Sequence, residues 1–144
     1  MGLDMYLHTR RFDHSGSRFD PENDKRPRHN NWPLACMEYD VGYWRKHAPL
    51  HNHIVENYAY QGEDNCQPIS LSAESCRAIA TWLRSGTAST DEETQSGFFF
   101  GESEWWEELL ADAPEDAQIF EDVADWLEQD EPNIWRSCFY QASW

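Results

Sequence analysis

The sequence predicts a single α+β domain, a small and mostly antiparallel sheet of about four strands packed with about four helices. Three observations carry that expectation. A chain of 144 residues amounts to one domain. Its apolar residues alternate with period two near both ends and recur at helical spacing between, with no internal repeat. Aromatic residues make up 15%, including eight Trp, so a net charge of −16 belongs to a folded domain with an acidic face. Disordered chains of such charge are poor in aromatics.

Residues 2–9 alternate, with Leu3, Met5 and Leu7 on one side and Asp4, Tyr6 and His8 on the other. That is a half-buried strand. Residues 10–33 are polar, interrupted by Pro21, Pro27 and Pro33, and read as a loop excursion. Residues 40–60 read as a helical region capped by Asp40, with Leu50, Ile54, Val55 and Tyr58 as its inner face. Pro49 should kink or split it after residues 41–46.

A turn over 62–65 and a short strand over 67–71 follow. Ser72 caps a helix reaching about Arg84, with Cys76, Ile79, Ala80 and Leu83 inward and Gly86 as its stop. Residues 87–94 read as a loop and 97–101 as a short buried strand around Phe98, Phe99 and Phe100. Ser103 caps a brief helix containing Trp105, Trp106, Leu109 and Leu110. Pro114 opens another with Ile119, Val123, Trp126 and Leu127 at helical spacing. Pro132 ends it, and 134–140 is the last strand.

No secretory leader is expected, because the opening apolar stretch is short and broken by Asp4. No apolar run approaches the roughly 20 residues of a membrane span. Tyr6 stands where a myristoylation signal wants Ser or Thr. Cys36, Cys66, Cys76 and Cys138 form no C-x-x-C pair, so a reducing cytoplasm is the expected setting.

The acid is segregated. Residues 1–50 carry eight Lys/Arg and seven Asp/Glu, whereas residues 51–144 carry three and twenty. Residues 91–131 hold sixteen acids and no base. Such a face repels nucleic acid and anionic membrane and attracts basic protein surfaces. Like charges at helical spacing also destabilise a helix, which suggests a use for them. The acidic helical segment 102–131 therefore makes Glu104, Glu107, Glu108, Asp112, Asp116, Asp122 and Asp125 candidate partner-binding residues, acting as nucleic-acid mimics.

Several blocks occur together: Met1-Gly-Leu-Asp-Met-Tyr-Leu7, Val41-Gly-Tyr-Trp-Arg-Lys46 with His51 beyond it, Asp64-Asn-Cys66, Gln95-Ser-Gly-Phe-Phe-Phe-Gly101 and Tyr140-Gln-Ala-Ser-Trp144. The set, about a quarter of the chain, resembles a family of bacteriophage and prophage proteins of uncharacterised activity that open with the same seven residues. The resemblance implies a phage or mobile-element context and transfers no mechanism. His47, Pro49 and His53 depart from the uninterrupted amphipathic helix usual in that family at this point.

Three further constellations bear on chemistry. His47 and His51 stand four residues apart, close to His53 and Glu56, as a metal pair would. Pro49 between them and the lack of H-E-x-x-H argue for a polar surface instead, and no metal or cofactor is expected. Cys66 with His51 is a candidate nucleophile pair, and hence the candidate catalytic site, set against ordinary packing of a thiol. The Gln95–Gly101 block lacks both phosphate-loop patterns and reads first as a core strand. Gln95 and Ser96, with Asp4, Tyr43 and Arg45, could line a small-ligand pocket.

The leading expectation is a cytoplasmic, phage-encoded accessory protein, without enzymatic activity, that occludes a basic host protein such as a nuclease, a repressor or a defence complex. No direct contact with nucleic acid or membrane is expected. The alternative is an enzyme or ligand binder with a pocket around His51, Cys66 and residues 95–101.

Overall fold

The computed structural model describes residues 2–17, 19–85 and 106–144, with no account of the Trp106, Glu107 and Leu110 side chains. Strands β1 (Asp4–Asp13), β4 (Cys36–Arg45), β5 (Ile69–Leu71) and β6 (Ile134–Ser143) form one antiparallel sheet in the order β4-β1-β6-β5. Strands β2 (Arg28–His29) and β3 (Trp32–Pro33) form a separate hairpin. Three α-helices, α1 (Ala48–Tyr58), α2 (Ala73–Arg84) and α3 (Trp106–Leu127), one fewer than expected, and a 3-10 turn at Tyr60–Gly62 complete the described elements. The result is a small single-domain α+β fold.

Alternation in β1 works as expected. Leu3, Met5, Leu7 and Thr9 are buried, while Asp4, Tyr6 and His8 lie on the other face. The core between the sheet and the helices collects these with Leu50 and Ile54 of α1, Cys76, Ile79 and Leu83 of α2, Ala117 and Phe120 of α3, and Tyr140 of β6. Ser72 caps α2 as expected, its Oγ accepting from the Ser75 N–H at 3.1 Å. All four cysteines are free thiols.

Five elements differ from expectation. Residues 40–45 are strand, not helix, and Asp40 caps nothing: it pairs with His8 beside a bulge in β4 at Val41. Val41, Tyr43 and Trp44 suit a strand, and ladder bonds to β1 from Cys36 onward decide the matter. The helix starts only at Ala48, with His47 as cap and Pro49 in its first turn, where a missing N–H costs nothing. β1 itself runs on to Asp13, past the expected loop boundary at Arg10, because β4 and β6 pair with it on both sides as far as Phe12.

Pro114 sits inside α3 instead of opening a helix. One continuous buried face, with Ala113, Ala117, Phe120, Val123 and Ala124, outweighs the hydrogen bond that proline removes. The last strand extends to Ser143, beyond the expected end at 140. The expected strand over 97–101, the Ser103 cap and the Gly86 stop lie outside the described residues.

Candidate functional site

α1 carries two buried histidines one turn apart, His47 and His51, each about 1% exposed. Their spacing puts both on the core-facing side of the helix. Their surroundings differ completely.

His51 bridges α1 to the end of β6 and to the turn before β5. Its Nδ1 lies 2.6 Å from the Tyr140 hydroxyl and its Nε2 2.6 Å from Asp64 Oδ2. A carboxylate only accepts, so Nε2 carries the proton and Nδ1 accepts from Tyr140. The Trp144 indole N–H also donates to Asp64 Oδ2, at 2.7 Å, and the Cys66 N–H donates to Oδ1 at 3.2 Å. Burial lowers the His51 pKa, against the pull of Asp64. Burial pushes the Tyr140 hydroxyl far up, with Asp64 adding to it. Both imidazole nitrogens are engaged, so neither can take a proton from Cys66 in this arrangement. Cys66 joins the network through its backbone, its carbonyl accepting from Gln141 Nε2 at 2.9 Å.

His47 is satisfied on one side only. Its Nδ1 accepts the Leu50 N–H at 3.3 Å and so caps α1. Nε2 then bears the proton, and it has no hydrogen-bond partner among the described residues. The closest carboxylate oxygen, Asp116 Oδ2, is 3.8 Å away. Burial holds the His47 pKa down to about 4, so the ring is neutral at pH 7. Asp116 is buried too, and its pKa is raised by that burial, against the Trp44 bond and with the help of Asp112 and Glu115.

Trp44 fixes this corner. Its indole N–H donates to Asp116 Oδ1 at 2.8 Å, and its ring stacks on Phe120 with centroids 5.6 Å apart. Gly42 makes room for it: a Cβ there would stand 2.5 Å from the ring edge. Above lies a cleft of about 480 Å³ between β4 and α3. Lys46 stands at its β4 side, next to Arg45 whose side chain turns to Asp4 on the other sheet face; Glu108, Asp112 and Asp116 stand at its α3 side, one turn apart each, and His47 at its inner wall.

Of the expected pocket residues, Asp4, Tyr43 and Arg45 do meet. The Tyr43 hydroxyl donates to Asp4 Oδ1 at 2.7 Å, and Arg45 Nε lies 3.9 Å from that carboxylate. They sit on the sheet face turned away from the helices, beside Tyr6, whereas His51 meets β6 from the helix side. The structure therefore does not gather them into one pocket with His51. Gln95 and Ser96 lie outside the described residues. His53 stacks on Trp82, centroids 4.1 Å apart, and shares no ligand geometry with His47 or His51. Among the described residues, no three His, Cys, Asp or Glu side chains converge to hold a metal ion.

The acidic segment proves to be divided. Arg77 of α2 pairs with Asp125 and Glu128, and Arg84 pairs with Glu121. Arg136 and Arg11 both reach Glu131. The three bases beyond residue 50 thus all neutralise acids at the far end of α3 or just after it. Of the expected partner-binding set, Asp125 is paired internally, Asp116 is buried, and Asp122 accepts from Gln118 at 2.8 Å. Glu108 and Asp112 have no ion pair among the described residues. Glu104 and the Glu107 side chain lie outside the description.

Sequence reasoning passed over Trp44 and Asp64 as site residues and expected one histidine of the group at the core edge, whereas both His47 and His51 are buried. A buried Trp followed by a basic pair was the one local signal for the cleft. Comparison with family models, curated proteins and solved structures returns no match.

Proposed function

We propose that the protein is a non-enzymatic binder of a basic protein, and that the partner docks along α3, from its unpaired acids to the groove at Ile119 and Trp126, and the adjoining edge of β4. One observation carries this reading. Arginines cancel the acids at the end of α3 and leave Glu108, Asp112 and Glu115 without an ion pair among the described residues. Beside them, Tyr39, Ile119 and Trp126 line an apolar groove of about 470 Å³ with Asp122 at its rim. Acids around an aromatic groove suit a basic segment with apolar side chains. β4 is an edge of the sheet among the described residues, so an extended segment could also add to it by backbone pairing. The phage accessory role and the host nuclease, repressor or defence target implied earlier belong to this proposal. No helix among the described residues is long and apolar enough to cross a membrane.

The deciding experiment is affinity capture at low and high salt with three proteins: wild type, the variant Glu108→Gln/Asp112→Asn/Asp122→Asn, and the control Asp125→Asn/Glu128→Gln. A basic partner held by wild type and control at low salt, and lost by the triple variant and at high salt, supports the reading. A partner captured equally by all three, or none at low salt, removes it.

A further inference from the structure

We propose that the cleft between β4 and α3 binds a small zwitterion of the α-amino-acid pattern. Its ammonium would rest on the α3 carboxylates, and its carboxylate on Lys46 and the His47 Nε2–H. This goes beyond the partner-binding reading and does not rest on it.

The cleft is dipolar. Glu108, Asp112 and Asp116 line one side and Lys46 the other, while the Arg45 side chain turns to Asp4 on the opposite face of the sheet. Among the described residues Lys46 forms no ion pair with any of these three acids. An unpaired base and unpaired acids lining one cleft suit a ligand bearing both signs.

A second, independent feature points the same way. The Nε2–H of His47 is a buried donor without an acceptor. A buried unsatisfied donor forfeits the hydrogen bond it made to water in the unfolded chain, and a ligand oxygen would restore it. Asp116 Oδ2, 3.8 Å from that nitrogen, is ready to accept. The two atoms therefore ask for a ligand acceptor and a ligand donor side by side, which an amino acid provides.

Other ligands fit less well. A guanidinium or ammonium alone would satisfy the carboxylates and leave His47 unpaired, because it has only donors. An anion alone would face three carboxylates. At about 480 Å³, the volume falls within the range of small-molecule pockets. The flat Trp44 wall, locked by Asp116 and Phe120, is already in place, which keeps the ordering cost of binding low.

The test is calorimetric titration of the full chain with each of the twenty free amino acids at millimolar concentration. The best binder is then repeated as its N-acetyl form, lacking the ammonium, and as its amide, lacking the carboxylate. Binding of at least one free amino acid, weakened about tenfold or more by either cap, supports the proposal. Asp112→Asn, an exposed change that leaves the core alone, should weaken it similarly, and His47→Asn should do so while circular dichroism stays native. Asp125→Asn should leave it unchanged. No heat with any amino acid overturns the proposal. So does equal binding of the capped forms, and N-acetyl-arginine amide binding as well as free arginine would make the cleft a subsite for a partner's cationic side chain instead.

Discussion

His47 and His51 are the same residue on the same helix at the same depth, and they do opposite things. His51 uses both ring nitrogens to tie α1 to Tyr140 and Asp64. His47 uses one to cap the helix and leaves the other facing a cleft. A fully satisfied buried polar group holds structure together. One left half-satisfied next to an accessible space is where binding can be built, because a ligand can recover what folding did not.

The largest break in that contrast should come at His51. His51→Phe would leave the Asp64 carboxylate and the buried Tyr140 hydroxyl without their shared partner. The expected loss is about 3 kcal/mol or more in urea unfolding. His47→Asn keeps a capping acceptor and should cost about 1 kcal/mol or less. Equal losses would erase the distinction drawn between the two sites.

Acid should sharpen it. The folded-state pKa of His47 is held down to about 4, below the ordinary 6.5 of the unfolded chain. Between those values the unfolded state binds more protons, so stability is whole above pH 6.5 and falls as the pH drops toward 4. The two-and-a-half unit gap corresponds to roughly 3 kcal/mol. His51, also depressed by burial, adds in the same direction. Asp116, raised by burial, works the other way: its cost at neutral pH is relieved as it protonates, which trims the slope. Unfolding free energies measured from pH 7 to 4 should therefore decline for wild type and flatten in His47→Asn.

Next comes the wall of the cleft. Gly42→Ala drives a methyl group against Trp44 and should cost about 1–3 kcal/mol, since the ring must leave Phe120 or the Asp116 bond. Amino-acid binding should fall with it, whereas the His51 network, one turn further along α1, should keep its NMR signature. The smallest effect should be Arg77→Ala. Its pairs with Asp125 and Glu128 are solvent-exposed, so stability should drop by about 1 kcal/mol or less and the difference should shrink in 1 M salt.

Local signals gave α2 almost completely: the Ser72 cap and the Cys76, Ile79, Ala80, Leu83 stripe both stand in the structure. They also gave the alternation of β1 and the inner face of α1. They misled at residues 40–45, where Asp40 and the apolar spacing imitate a capped helix, because strand pairing is a contact with β1 some thirty residues away. They misled at Pro114 as well, since burial of the α3 face against α2 and the sheet is invisible in a local window.

The site divides in the same way. The sequence by itself determined the composition of the acidic segment, the period of the β1 and α2 faces, and the four-residue spacing that brings His47 and His51 onto one side of a helix. Those are properties of covalent order and of 2.0 and 3.6 residue periods. Only the tertiary structure decided which acids meet arginines, which histidine is saturated, and that Asp116 turns inward to Trp44. Charge neutralisation and hydrogen-bond satisfaction depend on distances between segments far apart in the chain, and those distances exist only once the sheet and helices have packed.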